Sequence, residues 1–167
     1  FDIKNGGIKR ILRHDGIVYD VSLDSKTKLA ASASDDLSAK VWDLNSGKEL
    51  HRLAHNNQVR TAQLSPDGNL LFTSAIGEAG HLWDTKSGQL VREFPINSGF
   101  YSSVRFNKDN TELLTGTSAG KIQLWQVATA KLTKTWQATP KNKWVSNNVL
   151  IEAVAFNNQG YVAGAAN

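Results

Sequence analysis

A histidine, a serine and an aspartate lie close together near the start of this chain. His14, Ser32 and Asp36 are the three residue types that many hydrolases combine for nucleophilic catalysis. A catalytic serine of that kind usually follows a strand-to-helix turn and faces an oxyanion-binding loop, and the sequence around Ser32 shows neither motif. Buried polar side chains also occur together for a second reason, because each needs a hydrogen-bond partner. We therefore interpret the set as structural and expect no catalytic site.

Metal chemistry is not indicated by the spacing of the metal-binding residue types. The histidines are His14, His51, His55 and His81, and none is paired with an acidic residue or another histidine at the spacing typical of a metal site. The chain contains no cysteine, which excludes disulfides, thiolate ligands and cysteine nucleophiles. We expect no metal site and no cofactor.

A repeat organises the whole chain. Phe1, Trp42, Trp83 and Trp125 mark one position of the repeat, at intervals of 41, 41 and 42 residues. Other apolar positions and the turns that follow them recur in the same register. Such a period is typical of arrays in which every repeat forms the same small unit.

Each repeat contains four short predicted strands and no amphipathic helix. In the first full repeat the strands are predicted over Ile17–Leu23, Lys28–Ser34, Ser38–Leu44 and Lys48–Ala54. Glycine, asparagine and aspartate between them favour tight turns. The pattern predicts an all-β protein.

The repeat resembles the WD40 family. The strongest match is the first full repeat, where His14, Ser32, Asp36 and Trp42 stand at the family's spacing. The resemblance implies a β-propeller, in which four-stranded antiparallel blades surround a central channel. This chain would supply a partial ring of about three to four blades. Its units would be 1–13 as the end of a preceding blade, then repeats 14–54, 55–95 and 96–138, and 139–167 as the first half of a fourth repeat.

The resemblance also implies a buried hydrogen-bond network in each blade. The network would tie the loop that enters a blade to the second and third strands. Gly77 and Ala119 stand where the aspartate is expected, so repeats two and three should depend more on apolar packing. The expected network residues are His14, Ser32, Asp36, Trp42, His55, Thr73, Trp83, Thr115 and Trp125.

One loop between repeats is eight or nine residues longer than the others, and it is the candidate partner-binding surface. Trp144 would be its apolar anchor, since interface cores favour large aromatic residues, and Lys141 and Lys143 would flank it. An alternative is that Trp144 folds back as a local plug. Arg60, Phe100 and Tyr101 in neighbouring loops could extend the same face.

These observations favour a non-catalytic scaffold that binds other proteins. Two alternatives stay open: a regulatory or substrate-binding propeller domain of an enzyme, and a binder of acidic ligands or nucleic acid. The second would use the lysines of residues 113–167, which hold five lysines and one acidic residue. Five lysines are too few to make nucleic acid the expected partner.

The sequence contains no apolar run of the roughly 18 residues that a membrane span requires. We expect a soluble protein, with the cytoplasm favoured and a bacterial cell envelope left open. The chain starts at Phe1 without an initiator methionine, and its first and last repeats are incomplete. We expect that the remaining blades come from the rest of a longer protein or from another chain.

Overall fold

All regular elements that the structure describes are β-strands. The computed structural model describes residues 7–137, 150–157 and 160–164, and no helix in these ranges is long and apolar enough to cross a membrane. The prediction of an all-β fold is therefore confirmed. The strands are β1 Val18–Asp24, β2 Leu29–Ser34, β3 Ser38–Asp43, β4 Glu49–Ala54, β5 Val59–Leu64, β6 Leu70–Ala75, β7 Gly80–Asp84, β8 Leu90–Phe94, β9 Tyr101–Phe106, β10 Glu112–Thr117, β11 Lys121–Gln126, β12 Lys131–Gln137, β13 Ala153–Asn157 and β14 Gly160–Gly164.

The strands form three four-stranded antiparallel sheets and one two-stranded pair. We call the sheets β1–β4, β5–β8 and β9–β12 blades 1, 2 and 3. In every blade the strands follow one another in chain order, so short hairpins make all the connections within a blade. The four strands predicted for the first repeat differ from the observed ones by one residue at most at each end.

The turn between the second and third strands has a different backbone conformation in blades 1 and 2. The flanking pairs, Ala33 with Ala39 and Ser74 with Gly80, enclose turns of equal length, residues 34–38 and 75–79. Both turns contain a residue with positive φ, which is Leu37 at 63° in blade 1 and Gly77 at 75° in blade 2. Glycine takes this backbone conformation without the steric cost that leucine pays. The positive φ lies one position earlier in the repeat in blade 2 than in blade 1, and this changes which side chain of the turn points back at the sheet.

The apolar cores lie between blades. One core joins Ala31, Val41 and Leu53 of blade 1 to Val59 and Leu71 of blade 2. A second joins blade 2 to blade 3, and a third joins blade 3 to β13. The first strands of successive sheets contact one another, β1 with β5, β5 with β9 and β9 with β13. These first strands are therefore the inner strands of a propeller arrangement.

Residues 7–13, which the sequence assigned to the end of a preceding blade, form no strand. Arg10 instead donates two hydrogen bonds to the backbone carbonyl of Asn45, at 2.7 and 3.2 Å. The apolar side of β1 is exposed as well, with Val21 at 55% and Leu23 at 66% exposure.

A polar side chain at one register position links each inner strand to the next. Asp20 accepts a hydrogen bond from the backbone N–H of Ala62 at 3.0 Å. The hydroxyl of Thr61, at the equivalent position of β5, donates to the carbonyl of Tyr101 at 2.9 Å. Ser103 of β9 accepts from the N–H of Val154 at 3.1 Å. Hydrogen bonds as well as apolar contacts therefore hold neighbouring blades together.

Replacing Thr61 with valine should lower the free energy of unfolding by about 1–2 kcal/mol, because the valine keeps the shape but cannot donate to Tyr101. Thr135→Val is the matched control, since Thr135 lies exposed on the outer strand β12. Denaturant melts followed by intrinsic fluorescence measure both changes. Equal stability of the two variants would show that the hydroxyl of Thr61 does not hold blades 2 and 3 together.

Candidate functional site

Blade 1 contains a buried chain of four side chains that runs from the entering loop to the third strand. The indole N–H of Trp42 donates to Ser32 Oγ at 2.9 Å, and Ser32 Oγ lies 2.6 Å from His14 Nε2. His14 Nδ1 lies 2.9 Å from Asp36 Oδ2. An indole nitrogen only donates and a carboxylate only accepts, so the protons run in one direction, from Trp42 through Ser32 and His14 to Asp36.

Asp36 is the acceptor at the end of this chain and also organises the turn around it. Its Oδ2 accepts from the backbone N–H of Asp15, and its Oδ1 accepts from the backbone N–H and hydroxyl of Ser38. Burial alone would favour the neutral acid, but the hydrogen bonds from Ser38, Asp15 and His14 outweigh it and hold the pKa of Asp36 well below its usual range.

The contacts of Ser32, His14 and Asp36 match those of a hydrolase triad atom for atom, but the surroundings do not suit catalysis. Ser32 is only 5% exposed, and its oxygen already accepts the indole N–H of Trp42. A nucleophile must reach the substrate carbonyl beside donors that stabilise the oxyanion. The buried oxygen of Ser32 has no route to a substrate, so this arrangement stabilises the blade.

Blade 2 has the same chain with a different carboxylate. Trp83 donates to Thr73 Oγ1 at 2.7 Å, and Thr73 Oγ1 lies 3.0 Å from His55 Nε2. His55 Nδ1 lies 3.0 Å from Glu78 Oε2, and Glu78 Oε1 accepts the N–H of Asn56 at 2.6 Å. Burial lowers the pKa of His55 and is the main cause of its shift. The lowered pKa favours a neutral ring in this hydrogen-bond chain.

The expectation that blade 2 lacks the carboxylate, because Gly77 stands at the aspartate position, is therefore wrong. Counting back from Trp83 gives Gly77 because both blades pair in the same register, but the positive φ falls on Gly77 in blade 2 and one position later, on Leu37, in blade 1. The longer side chain of Glu78 reaches His55 from the next position. Sequence reasoning could have found Glu78 as the nearest acidic residue after Thr73.

His81 lies against the hydrogen-bonded side chains of blade 2, a contact that sequence reasoning missed because no known spacing joins the two histidines. The His55 and His81 rings are stacked, with centroids 4.9 Å apart and an interplanar angle of 17°. His81 is the cross-strand neighbour of Thr73 in the sheet, and this register brings the two rings together. Blade 2 thus concentrates two imidazoles and a carboxylate at one place.

Blade 3 keeps only the tryptophan–threonine part of the hydrogen-bond chain. Trp125 donates to Thr115 Oγ1 at 3.1 Å, and the Thr115 hydroxyl lies 3.4 Å from the carbonyl of Gln123. Asn97 and Ala119 replace the histidine and the carboxylate, and both line a cavity of about 260 Å³ beside Trp125. The N–H of Phe100 donates to Ser118 Oγ instead, which ties the entering loop to the turn.

A cation enclosed by aromatic rings lies where blades 1, 2 and 3 meet. The Arg60 guanidinium is 3.9 Å from the centroid of the Tyr19 ring and 5.9 Å from that of Phe100. Its Nη2 donates to Gln58 Oε1 at 2.9 Å. Arg60 is the residue of β5 that a β-bulge leaves out of the pairing with β6, and Tyr19 occupies the matching bulge of β1. Bulges re-aim a side chain, and here they turn both toward the inter-blade loops.

Two of the predicted partner-binding residues lie beside each other in the chain but differ in exposure. Phe100 is half-buried next to Arg60. Tyr101 has no exposed surface, because its ring packs against Phe72 and Trp125 and its hydroxyl donates to the carbonyl of Pro95 at 2.8 Å. The expectation that Tyr101 contacts a partner is therefore wrong. Lys141, Lys143 and Trp144 lie outside the described residues.

Comparison with known proteins identifies the repeat. The family model described as "WD domain, G-beta repeat" matches residues 7–43, 47–84 and 88–126, which is more than half of the chain. This chain belongs to the WD40 repeat family. The three matched WD40 segments cover most of blades 1, 2 and 3, including the Trp42, Trp83 and Trp125 hydrogen bonds.

Curated WD40 relatives are much longer than this chain. A chicken serine-threonine kinase receptor-associated protein is 30% identical over 125 residues, which cover 73% of this chain and 35% of the relative. A U3 snoRNP-associated-like protein of Arabidopsis thaliana is 28% identical over 135 residues, covering 69% of this chain and 28% of the relative. The chain thus spans about a third of these relatives or less.

The fold is similar to that of solved propeller designs. The crystal structure of the computationally designed Ika4 protein superposes with a TM-score of 0.76 and 20% identity, and covers 96% of this chain and 92% of the design. The designed Ika8 protein superposes with a TM-score of 0.77, and this chain covers 45% of it. At this identity the similarity concerns the fold alone.

Removing the carboxylate from either complete WD40 network should destabilise the protein. Asp36→Ala and Glu78→Ala should each lower the free energy of unfolding by about 1–3 kcal/mol, since each leaves a buried histidine donor unpaired. Asp109→Ala, in an exposed turn of blade 3, is the control and should change little. If denaturant melts give the same stability for Glu78→Ala and Asp109→Ala, then Glu78 does not take the place of the missing aspartate.

Acid should remove the contribution of Asp36. A group whose pKa is lower in the folded protein than its ordinary value of 3.8 stabilises the fold above that pH. The stabilisation is lost as the pH falls through the lower, folded-state pKa. The difference in unfolding free energy between the natural protein and Asp36→Asn should therefore be constant near neutral pH and shrink below about pH 4. A difference that stays constant in acid would contradict an ionised Asp36.

Proposed function

We propose that this WD40 chain is a non-catalytic scaffold that binds other proteins on the face formed by its inter-blade loops. The observation that carries the proposal is the position of Arg60 between Tyr19 and Phe100. Arginine and aromatic residues are the types that dominate binding energy in protein interfaces. Here residues from three blades bring these types together at one place on the loop face.

The Arg60 guanidinium is held in place but retains hydrogen-bonding capacity. Stacking on Tyr19 and the bond to Gln58 restrict the rotation of the Arg60 side chain, so the side chain would lose little conformational entropy when a partner binds. Its Nε is buried, whereas its Nη nitrogens make one recorded hydrogen bond within the described part of the chain, from Nη2 to Gln58, and can donate to a partner. A guanidinium fork of this kind suits a carboxylate, which accepts two parallel N–H bonds. We therefore expect the partner protein to present an acidic side chain or a chain terminus to Arg60.

The chemistry of the buried networks supports a scaffold over an enzyme. Ser32 and Thr73 are the hydroxyls nearest to histidines in blades 1 and 2, and both are buried acceptors of indole N–H groups. The names of the relatives support the same conclusion, because one is called receptor-associated and the other snoRNP-associated. The longer loop with Lys141, Lys143 and Trp144 remains part of the proposed surface.

The test compares two arginine variants of the protein. Arg60→Ala should reduce the recovery of bound proteins in quantitative affinity capture by about tenfold or more, because a charged hydrogen bond is worth about 1.5–3 kcal/mol. Arg105→Ala is the matched control, since Arg105 lies exposed on the inner strand β9 and the described aromatic rings do not enclose it. Titration of each recovered protein against both variants then measures the affinity directly.

The outcomes separate a binding role from a structural one. Circular dichroism and melting temperature establish that both variants are folded. Loss of the same proteins with Arg60→Ala but not with Arg105→Ala supports the loop-face surface, and the loss should grow smaller in high salt. Unchanged recovery with folded Arg60→Ala would contradict the proposal that Arg60 contacts a partner.

A further inference from the structure

Blade 2 brings together three side chains that can bind a metal ion. His55, Glu78 and His81 each offer one ligand atom, and these three atoms lie within 4.8 Å of one another. The side chains are mostly buried but not sealed, with His55 at 0%, Glu78 at 14% and His81 at 16% exposure. An ion could therefore reach the cluster from the side of Glu78 and His81.

His81 is the residue of this cluster that the WD40 hydrogen-bond network does not use. Its Nδ1 is buried and has no hydrogen-bond partner among the described residues. Its Nε2 lies 3.5 Å from Glu93 Oε1, on the neighbouring strand β8. A buried polar atom without a partner costs free energy, and an imidazole nitrogen with a free lone pair is the commonest metal ligand in proteins.

We propose that His55, Glu78 and His81 bind one divalent transition-metal ion of the zinc class. Two imidazole nitrogens and one carboxylate oxygen form a ligand set that occurs in zinc sites with an open fourth position. Calcium and magnesium prefer oxygen ligands, so the two histidines select against them. The open fourth position would hold water or a side chain of a partner.

Each proposed ligand is oriented by an outer contact, as in established metal sites. Asn56 N–H holds Glu78 Oε1 at 2.6 Å, which leaves Oε2 for the ion. Thr73 Oγ1 lies 3.0 Å from His55 Nε2, which leaves His55 Nδ1 for the ion. Glu93 faces Nε2 of His81, which leaves Nδ1 of His81 for the ion.

Binding requires two changes, and the chain can accommodate both. The ion would replace the proton on His55 Nδ1 that faces Glu78 Oε2; the ring takes up a proton at Nε2 in exchange, stays neutral, and its Nε2–H then donates to Thr73 Oγ1. The stacked rings also have to move, because an ion about 2.0–2.1 Å from each nitrogen must lie in both ring planes. His81 can rotate for this purpose, since its Nδ1 has no hydrogen bond to lose.

The same place in the other blades does not offer these ligands. In blade 1 the position of His81 is taken by Lys40, whose ammonium group lies 3.0 Å from the carbonyl of Arg13 and 2.9 Å from Glu49. In blade 3 Gln123 takes that position, and Asn97 and Ala119 replace the other two ligands. Among the described blades, the proposed site is therefore specific to blade 2.

The test uses His81→Gln, because glutamine keeps much of the volume but lacks the ring nitrogen, and because His81 is outside the structural network. His51→Gln is the matched control, since His51 is a histidine on the outer strand of blade 1. Zn²⁺ binding is measured by isothermal titration calorimetry, and Co²⁺ binding by visible absorption, which reports the coordination geometry.

We expect one Zn²⁺ per chain and a rise in melting temperature with Zn²⁺. His81→Gln should weaken Zn²⁺ binding by about tenfold or more, which is the lower range for losing even an outer contact of a metal site. His51→Gln should bind like the natural protein. The absence of saturable Zn²⁺ and Co²⁺ binding would overturn the site, and so would equal affinity of folded His81→Gln. Neither result bears on the Arg60 surface, which is tested separately.

Discussion

A four-stranded antiparallel sheet with two apolar faces cannot bury both of them by itself, and this constraint governs the whole chain. The cores of this protein accordingly lie between sheets, with one core shared by blades 1 and 2 and another by blades 2 and 3. Burial of apolar surface contributes about 25 cal/mol per Å² to stability, and a blade gains this stabilisation only when a neighbouring blade covers its faces. The polar links of Asp20, Thr61 and Ser103 to the following blade reinforce that stacking.

The buried networks follow from the packing of one large side chain per blade. Trp42, Trp83 and Trp125 fill the space next to the second strand, and each brings an indole N–H that has to be paired. Ser32, Thr73 or Thr115 accepts that hydrogen, and a histidine and a carboxylate complete the chain in blades 1 and 2. Blade 3 lacks the last two groups, and a cavity lies beside its tryptophan. The blades therefore share an architecture but differ in how firmly their entering loops are held.

The two proposed binding sites use side chains that the packing of strands and blades brings together, although the packing does not depend on them. Arg60 meets Tyr19 and Phe100 because bulges and loops of three neighbouring blades converge on one face. His81 meets His55 and Glu78 because strand register places it across from Thr73. A rigid scaffold holds such groups in fixed positions, which lowers the entropy cost of binding a partner or an ion.

The sequence alone determined the repeat, the strand boundaries to within a residue in the first full repeat, and the His14–Ser32–Asp36–Trp42 set. These features depend on local periodicity and on spacing within one repeat, which a single sequence displays directly. Only the tertiary structure decided that Glu78 takes the place of the missing aspartate, because the turn conformation at Gly77 and the longer side chain of Glu78 let it reach His55 from the next position. The burial of Tyr101, the aromatic enclosure of Arg60 and the stacking of His81 on His55 also depend on contacts between strands and blades. Residues far apart in the chain make these contacts, and the repeat period does not specify how their side chains meet.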